Sequence, residues 1–598
     1  MTVVGAIIDP DPLTRGAFLQ SLEERVKEYG AQPLEQTTVG DCTCRWRTCP
    51  SVPVSVARRG KTVAWVLGHI DAMDEPGQGY AEAILSHLDK KGVDEIACYS
   101  GYFLAVVSRE DGCYVFTDRL GLFPCYYATK DSVLVLGTSS DLPTLHAASS
   151  RKANWKAIIG HLLCMHEVLG ESVWEGSHRL GTGEVLYFTG QTLRILRQQS
   201  IPVSDESFGL PHEAQIERGH GAMVEAFQSY RGKSVSALLS GGLDSRLIAG
   251  YLSESGADAG PVYTLGNAGD VEFQCAQPVC RTLNWSQLRI GIDFIRFPAA
   301  AARQVVTEQL SNGLNDLSWW SLVDAIDGAM SPMITGIVGA AVLGGSHISL
   351  GYDPASQRYS FDMLFRHVNS WGLPAELLCS LFPGLETRRF IVEITDRLRE
   401  RYEALPGYPF QKVWQFDLMN RQRFHVAGIL IRLSNSIWPL APLASDSVLT
   451  VAAGMPACAI FGRSLQRDLV ITRFPHLARL PLDRNSQDCT PLVPSLGYRL
   501  RRKIENKTRI GRLRFRKGEK RYYYRVYDVN NQGWRQVRGQ CSCALDSLSA
   551  IIDLDEYRRV LRDPEECIRP CGDSIIGASG LKSLVAFTLW WKRYTPAT

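Results

Sequence analysis

The sequence predicts an α/β protein in which a strand-rich domain precedes a domain of alternating buried strands and helices. The first third contains short apolar or β-branched runs separated by turn residues, which is typical of a layered sheet. Further on, the stretch Val235 to Tyr251 (VSALLSGGLDSRLIAGY) has an apolar run, a glycine-containing break and then apolar residues at helical spacing. Between the two, residues 200–213 combine Pro, Gly, Ser and acidic residues without apolar periodicity. We therefore place a domain boundary at about residue 205.

The individual elements follow from the same patterns. Helical periodicity is found around residues 81–90, 155–163 and 214–230, and PVYTLG (261–266) is typical of a second buried strand. Four runs predict strands in the first domain: Thr62 to Leu67, Tyr102 to Val107, Tyr114 to Thr117 and Val133 to Gly137.

Composition limits the class of protein. The chain has 598 residues, 45% of them hydrophobic, which is ample for large buried cores. It has neither an apolar run of transmembrane length nor a basic, apolar signal segment at its start, so we expect a cytoplasmic protein without a membrane partner. The sixteen cysteines lack paired CxxC spacing, which favours reduced thiols over a zinc site.

The loop Ser240 to Ser245 is the strongest functional signal. Its two glycines let the backbone approach a ligand closely, the serines supply hydroxyls, and the N–H groups at the start of the following helix favour an anion such as pyrophosphate. Asp244 would repel phosphate if left alone, which suggests a bridging divalent cation. The pattern differs from the GxxxxGK[ST] phosphate loop.

SGGLDS resembles the pyrophosphatase loop of the asparagine synthetase-like family, whose members cleave ATP between the α and β phosphates and adenylate a carboxylate. The resemblance implies that ATP and Mg²⁺ bind here. It also implies a C-terminal domain over residues 206–598 with a doubly wound parallel sheet, helical additions and a basic extension from about residue 498. The implied ATP-binding residues are Leu238, Leu239, Ser240, Gly241, Gly242, Leu243, Asp244, Ser245, Thr264, Leu265, Gly266, Thr335 and Gly336.

A second motif, TGIVGAAVLGG from Thr335 to Gly345, is similar to the family segment that helps to hold magnesium beside the pyrophosphate. Ala340 stands where that segment carries an aspartate, which leaves Asp244 as the implied metal ligand. Asp316 is a nearby candidate to compensate. Ile337 stands where true asparagine synthetases have a glutamate, which argues against aspartate as the substrate.

Residues 101–128 resemble part of the family's N-terminal glutaminase domain, through Asp118, Arg119 and the Gly-x-x-Pro-x-Tyr-Tyr strand. The family's nucleophile is a cysteine directly after Met1, whereas Thr2 occupies that place here. We therefore expect residues 1–205 to form a degenerate glutaminase-like (Ntn-type) domain that hydrolyses no glutamine.

Without an ammonia source, the nucleophile must be an amine of the substrate, as in β-lactam synthetases and lasso-peptide cyclases of the same family. The chain looks most like a lasso-peptide cyclase, which implies a precursor peptide as substrate and a leader peptidase and leader-recognition protein as partners. The GGSH segment ending at His347 and the PLDRN segment with Arg484 contribute to this resemblance, and we take both residues with Asp244 as catalytic candidates. A small-molecule β-lactam synthetase and a catalytically impaired peptide-binding subunit remain alternatives.

Basic charge is concentrated near the C-terminus. Residues 499–525 hold thirteen Lys or Arg against two acidic residues, so the rest of this chain of net charge +3 carries 3 − 11 = −8. Interleaved Tyr and Phe would suit an acidic peptide, a partner protein or nucleic acid, and a solvated helix face is the alternative. We favour peptide or protein and expect no nucleic-acid partner. The final segment, GLKSLVAFTLWWKRY, predicts a packed amphipathic helix.

Overall fold

The structure is a computed structural model. It describes residues 2–28, 30, 32–71, 79–92, 99–147, 151–197, 201–314, 316–326, 328–344, 348–483, 489–507, 522–569 and 574–594.

The first domain consists of two antiparallel sheets, each with six strands, in the orders β10-β8-β9-β1-β3-β2 and β12-β11-β7-β6-β5-β4. The strands are β1 Val3–Ile8, β2 Glu35–Val39, β3 Cys42–Arg47, β4 Val54–Arg59, β5 Thr62–Ile70, β6 Gly101–Arg109, β7 Gly112–Thr117, β8 Tyr126–Lys130, β9 Val133–Gly137, β10 His178–Arg179, β11 Glu184–Phe188 and β12 Leu193–Arg197. Its described α-helices are α1 Pro12–Lys27, α2 Gly79–Lys91 and α3 Trp155–Cys164.

Apolar side chains on alternate positions hold these sheets face to face. Trp46 of β3 and Trp65 of β5 meet in the shared core, with their rings 5.3 Å apart. Phe18 of α1 packs on the outer face of the first sheet, and Ile84 of α2 packs on that of the second. The result is a four-layer α-β-β-α arrangement, which confirms the predicted layered-sheet domain.

The second domain is built on a five-stranded parallel sheet of order β15-β14-β13-β16-β19. The second domain's strands are β13 Ser234–Leu238, β14 Asp258–Leu265, β15 Gln287–Ile290, β16 Met333–Ile334, a small hairpin of β17 Tyr352–Asp353 and β18 Arg358–Tyr359, and β19 Pro439–Leu440. Chain order runs outward from β13 in both directions, so the sheet is doubly wound as predicted. Its topological switch point lies between β13 and β16.

Helices surround this sheet and extend into a second core. They are α4 His212–Gln228, α5 Leu243–Glu254, α6 Val271–Thr282, α7 Phe297–Glu308, α8 Trp319–Ala325, α9 Gly339–Val342, α10 Phe361–Asn369, α11 Ala375–Leu381, α12 Thr387–Glu403, α13 Pro409–Asp417, α14 Gly428–Leu433, α15 Asp446–Ala453, α16 Ala457–Ile460, α17 Ser464–Arg473, α18 Pro475–Ala478, α19 Leu496–Lys507, α20 Tyr522–Tyr527, α21 Gln532–Cys541, α22 Leu545–Leu548, α23 Leu554–Leu561 and α24 Ser574–Tyr594. A π-helical stretch, Leu418–Val426, joins α13 to α14.

The two domains share one hydrophobic core. Trp438, at the entry to β19, is buried against Tyr102 with a ring separation of 5.3 Å, and its backbone N–H donates to Ser51 Oγ. Ser207, in the predicted linker, donates its N–H to the carbonyl of Gly454. Because one cluster of buried side chains spans both halves, the boundary near residue 205 stays a prediction.

The C-terminal helix differs from its prediction. In α24 the residues from Ala578 to Thr588 are all buried, and they include Lys582, Ser583 and Thr588 itself. The helix is therefore enclosed by its neighbours over this length rather than amphipathic. Within the described residues, no helix is both long and apolar enough to cross a bilayer. The fourteen described cysteines are all free thiols, as predicted.

Candidate active site

The loop Ser240 to Gly242 lies at the carboxyl end of β13, at the switch point of the parallel sheet. β13 pairs with β14 on one side and β16 on the other, and the chain then turns into α5. This confirms the predicted order of strand, tight loop and helix. Connections leave a doubly wound sheet in opposite directions at this point, which is where sheets of this kind usually bind ligands.

The two serines of the loop hold its shape. Ser240 Oγ and Ser245 Oγ are 2.9 Å apart, and the Ser240 N–H donates to Ser245 Oγ at 2.9 Å. The Gly242 N–H donates to Ser240 Oγ at 3.2 Å. Gly242 also occupies the N-cap of α5, where it offers no capping side chain. The N-cap residue therefore satisfies none of the first-turn N–H groups of this helix with a side chain, and the anion site stays a prediction.

Gly241 is required by close packing. A Cβ at this position would lie 2.7 Å from Cys275 Cβ of α6 and 3.1 Å from Asp483 Cβ. The carbonyl of Gly241 accepts the Asp483 N–H at 2.7 Å. The loop is thus enclosed by α6 on one side and by the segment before Arg484 on the other. Arg484 itself lies outside the described residues, so its catalytic role stays a prediction.

A buried arginine anchors that segment. Arg246 of α5 donates from Nη1 to the carbonyl of Leu477 and from Nη2 to that of Pro481, each at 2.5 Å. Burial lowers the pKa of Arg246 to about 10, which leaves it charged near neutral pH. Arg246 therefore ties the loop's helix to the chain that leads to Asp483.

Asp244 projects from the first turn of α5 and is already paired. Its Oδ2 accepts from Arg463 Nη2 at 2.6 Å, and its Oδ1 accepts from Gln466 Nε2 at 2.7 Å. Gln466 is fully buried in α17, whereas the Asp244 and Arg463 side chains are about one-fifth exposed. The carboxylate thus faces a guanidinium and an amide.

These surroundings do not fit a resident magnesium ion. Both oxygens of Asp244 accept hydrogen bonds, and Ala340 of α9 supplies no ligand. Asp316 accepts from Ser318 and from Trp319 Nε1 within its own turn, so its carboxylate is engaged there. Across the ranges described above, no group of three or more His, Cys, Asp or Glu side chains could hold a metal.

The second predicted motif packs directly behind the loop. A Cβ at Gly336 would lie 3.0 Å from Asp244 Cβ, so the glycine permits this approach. Thr335 is fully buried, and its hydroxyl donates to the carbonyl of Leu440 in β19. Thr335 therefore stabilises the sheet with its side chain, and Gly336 brings the motif to the loop. His347, two residues after this motif, lies outside the described residues.

The predicted ATP-binding residues Thr264, Leu265 and Gly266 lie at the carboxyl end of β14, beside the loop's own strand. Thr264 is buried and its Oγ1 accepts from Gln287 Nε2 at 2.9 Å. Leu265 is also buried, and Gly266 has φ +131°, a conformation that favours glycine. Their position at the carboxyl edge of the sheet is compatible with the predicted role, which stays a prediction.

Asp270 starts α6 and has a structural role. Its Oδ2 accepts from the backbone N–H of Asn267 at 2.6 Å and from Arg525 Nη2 at 2.6 Å. Arg525 is the last residue of the predicted basic segment, of which residues 508–521 lie outside the described ranges. Asp270 thus links α6 to the C-terminal extension.

In the first domain, Thr2 is enclosed rather than open to substrate. It is 3% exposed, its N–H donates to Asn435 Oδ1 at 3.1 Å, and its hydroxyl donates to the carbonyl of Ser434 at 2.5 Å. The adjoining cavity has room for about one water, roughly 10 Å³. Thr2 therefore fastens the first domain to the second.

Arg463 and Gln466 are the site residues that sequence reasoning missed. They lie more than two hundred positions after Asp244, in a segment without a motif. The glycine at 462, two residues before the helix that begins at Ser464, was the available signal, and it says nothing about which side chain reaches the loop.

Comparisons with known proteins identify no family. No model of a known protein family matches this chain, and no curated protein does so. Among solved structures, it is similar to the glutamine phosphoribosylpyrophosphate (PRPP) amidotransferase from B. subtilis complexed with ADP and GMP, at 11% identity over 48% of this chain and 90% of that chain, with a TM-score of 0.22. A second, described as the allosteric regulatory enzyme of purine biosynthesis, shows 12% identity over 52% of this chain and 78% of that chain, with a TM-score of 0.23. At these scores neither structure says what this site binds.

Proposed function

We propose that this protein is an ATP-dependent, AMP-forming amide ligase. The observation that carries the proposal is the loop Ser240 to Ser245, held by paired serine hydroxyls at the switch point of a doubly wound sheet, with the open N-terminus of α5 facing the crevice. Such a site suits the polyphosphate of a nucleotide. The carboxyl ends of β14 and β16 flank it and offer the base and ribose a surface.

The proposed reaction has two steps. A substrate carboxylate attacks the α-phosphorus of ATP, which forms an acyl-adenylate and breaks the bond to the departing pyrophosphate. An amine then attacks the acyl carbon, loses a proton and expels AMP, which leaves an amide. In the first step, the N–H groups of Gly241, Leu243 and Asp244 and the serine hydroxyls would stabilise the charge that accumulates on pyrophosphate.

The source of the amine limits the class of substrate. Thr2 stands where the related glutaminases carry their nucleophile, and it is buried, hydrogen-bonded to Ser434 and next to a cavity of water size. These contacts support an enzyme that takes no ammonia from glutamine. The amine must then belong to the substrate itself.

We therefore propose a lasso-peptide cyclase that adenylates an Asp or Glu side chain of a precursor peptide and closes a macrolactam with the peptide's N-terminal amine. Holding both ends of one peptide replaces a bimolecular encounter with an intramolecular one, and enclosure protects the adenylate from water. A leader peptidase and a leader-recognition protein would supply the free amine and deliver the peptide. Catalytic roles for Arg484 and His347 remain part of this proposal.

The test measures AMP and a product lighter than its substrate by one water. The protein is incubated with ATP and peptides that carry a free N-terminal amine and an acidic side chain, and in parallel with β-amino acids. Peptide-dependent AMP and a cyclised peptide are expected. Turnover only with a β-amino acid would favour the β-lactam synthetase, and the Ala340→Asp variant is assayed beside the unmodified chain.

A second candidate is a subunit that binds nucleotide or peptide without catalysis. Ala340 favours it, because it supplies no carboxylate for a metal, and Asp244 is already paired with Arg463 and Gln466. Binding of ATP without AMP formation by either form, with every peptide tried, would support this candidate and contradict the ligase.

A further inference from the structure

We propose that Arg463 is the cation of the loop, and that it neutralises a bound pyrophosphate group without a divalent metal. This inference rests on the proposed function, because Arg463 belongs to the same site. It states which group of the protein balances the negative charge of the ligand.

Backbone contacts hold Arg463 in place. It precedes α17 with φ +66° and ψ +32°, a left-handed conformation that is unfavourable for a residue with a side chain. Its N–H donates to the carbonyl of Gly344 at 2.9 Å. A Cβ at Gly344 would lie 3.2 Å from Arg463 Cγ, so the arginine's stem lies along the second motif. The backbone and the first carbons of the Arg463 side chain are thus held beside the loop.

Asp244 orients the guanidinium of Arg463. The carboxylate accepts from Nη2 at 2.6 Å, and Gln466 holds the other carboxylate oxygen from within the core. Among the described residues, neither Nη1 nor Nε of Arg463 has an acceptor, and the side chain is 21% exposed. The arrangement leaves Nη1 and Nε as separate donors for an anion that approaches the loop.

The charge balance favours this role. Without ligand, Asp244 and Arg463 form a neutral pair beside Ser240 and Ser245. A pyrophosphate group would gain charge-assisted hydrogen bonds from the guanidinium as well as those of the loop. A divalent ion at Asp244 would instead lie beside the Arg463 guanidinium, with a cation facing a cation. Arg463 therefore offers the loop a positive charge that needs no metal.

The experiment measures binding of inorganic pyrophosphate, and of a non-hydrolysable ATP analogue, to the full chain by calorimetry in EDTA and in magnesium. Arg463→Gln removes the charge, Arg463→Lys retains it, and Arg467→Gln removes the same charge from an exposed neighbour that pairs with Asp468. Thermal unfolding of each variant checks that it is folded.

We expect the unmodified protein to bind equally well, within about threefold, in EDTA and in magnesium. Loss of one charge-assisted contact should weaken binding in EDTA by about 10- to 100-fold in Arg463→Gln, with partial recovery in Arg463→Lys and no change in Arg467→Gln. Binding that needs magnesium and is as tight in Arg463→Gln would overturn the role of Arg463 and leave the ligase standing. Absence of binding in both media would overturn both proposals.

Discussion

Gly241→Ala should distort the loop Ser240 to Ser245, whereas Gly242→Ala should be tolerated by the fold. A methyl group at position 241 would lie 2.7 Å from Cys275 Cβ and 3.1 Å from Asp483 Cβ. A methyl group at 242 would meet only Ser240 Oγ, at the ordinary contact distance of 3.4 Å. Neither glycine has a positive φ, so backbone strain does not enter the comparison.

The magnitude follows from that 2.7 Å contact. Carbon atoms prefer about 3.5–4.0 Å, so the loop or α6 must move by about 1 Å. Overpacking of this kind costs about 1–3 kcal/mol of unfolding free energy. Gly→Ala also reduces the entropy of the unfolded chain, but this effect is common to both variants and cancels between them.

Thermal unfolding of the two variants, followed by calorimetry, measures the difference. At about 2–4 °C per kcal/mol for a large domain, Gly241→Ala should melt several degrees below Gly242→Ala. It should also bind pyrophosphate more weakly than the unmodified chain, because the displaced loop no longer presents its N–H groups together. Equal melting temperatures, or unchanged pyrophosphate affinity in Gly241→Ala, would refute the packing argument.

Two further predictions concern residues outside the loop. Burial lowers the pKa of Lys582 from 10.5 to about 7, so between these values the unfolded chain holds a proton that the folded one lacks, and stability from this group rises with pH by up to about 1.4 kcal/mol per unit. Lys582→Met should therefore lose this rise, seen as a smaller gain in melting temperature between pH 7 and 9; an identical profile would contradict the assignment. Thr2→Val should cost about 1–3 kcal/mol, because it leaves the buried carbonyl of Ser434 without its donor, and neither form should release ammonia from glutamine. Ammonia release by the unmodified chain would show that Thr2 is a working nucleophile.

Local periodicity was enough to predict much of the fold. β13, the loop and α5 follow one another within about twenty residues, so the apolar pattern and the two glycines are enough to predict all three. The strand prediction Thr62 to Leu67 falls within β5, and the helix predicted from residue 214 is α4, His212–Gln228. Parallel pairing of β13 with β16 required the family resemblance, because about a hundred residues separate them.

The electrostatics of the site could not be predicted in this way. The partner of Asp244 is Arg463, 219 positions later, and its approach depends on how α17 docks against α5. The lone carboxylate of Asp244 predicted a metal ion as its partner. In the structure its partner is the guanidinium of Arg463. The C-terminal helix was also predicted incorrectly. It was expected to be amphipathic, yet even its Lys582 side chain is buried by the surrounding segments.

The most direct test of the account is an experimental structure of the protein with an ATP analogue that resists cleavage between the α and β phosphates. We predict the analogue's phosphates within about 3 Å of the loop's N–H groups and serine hydroxyls, the normal hydrogen-bond range, with the Arg463 guanidinium in contact. Phosphates bound elsewhere, or a loop whose crevice is filled by the protein's own side chains, would contradict it.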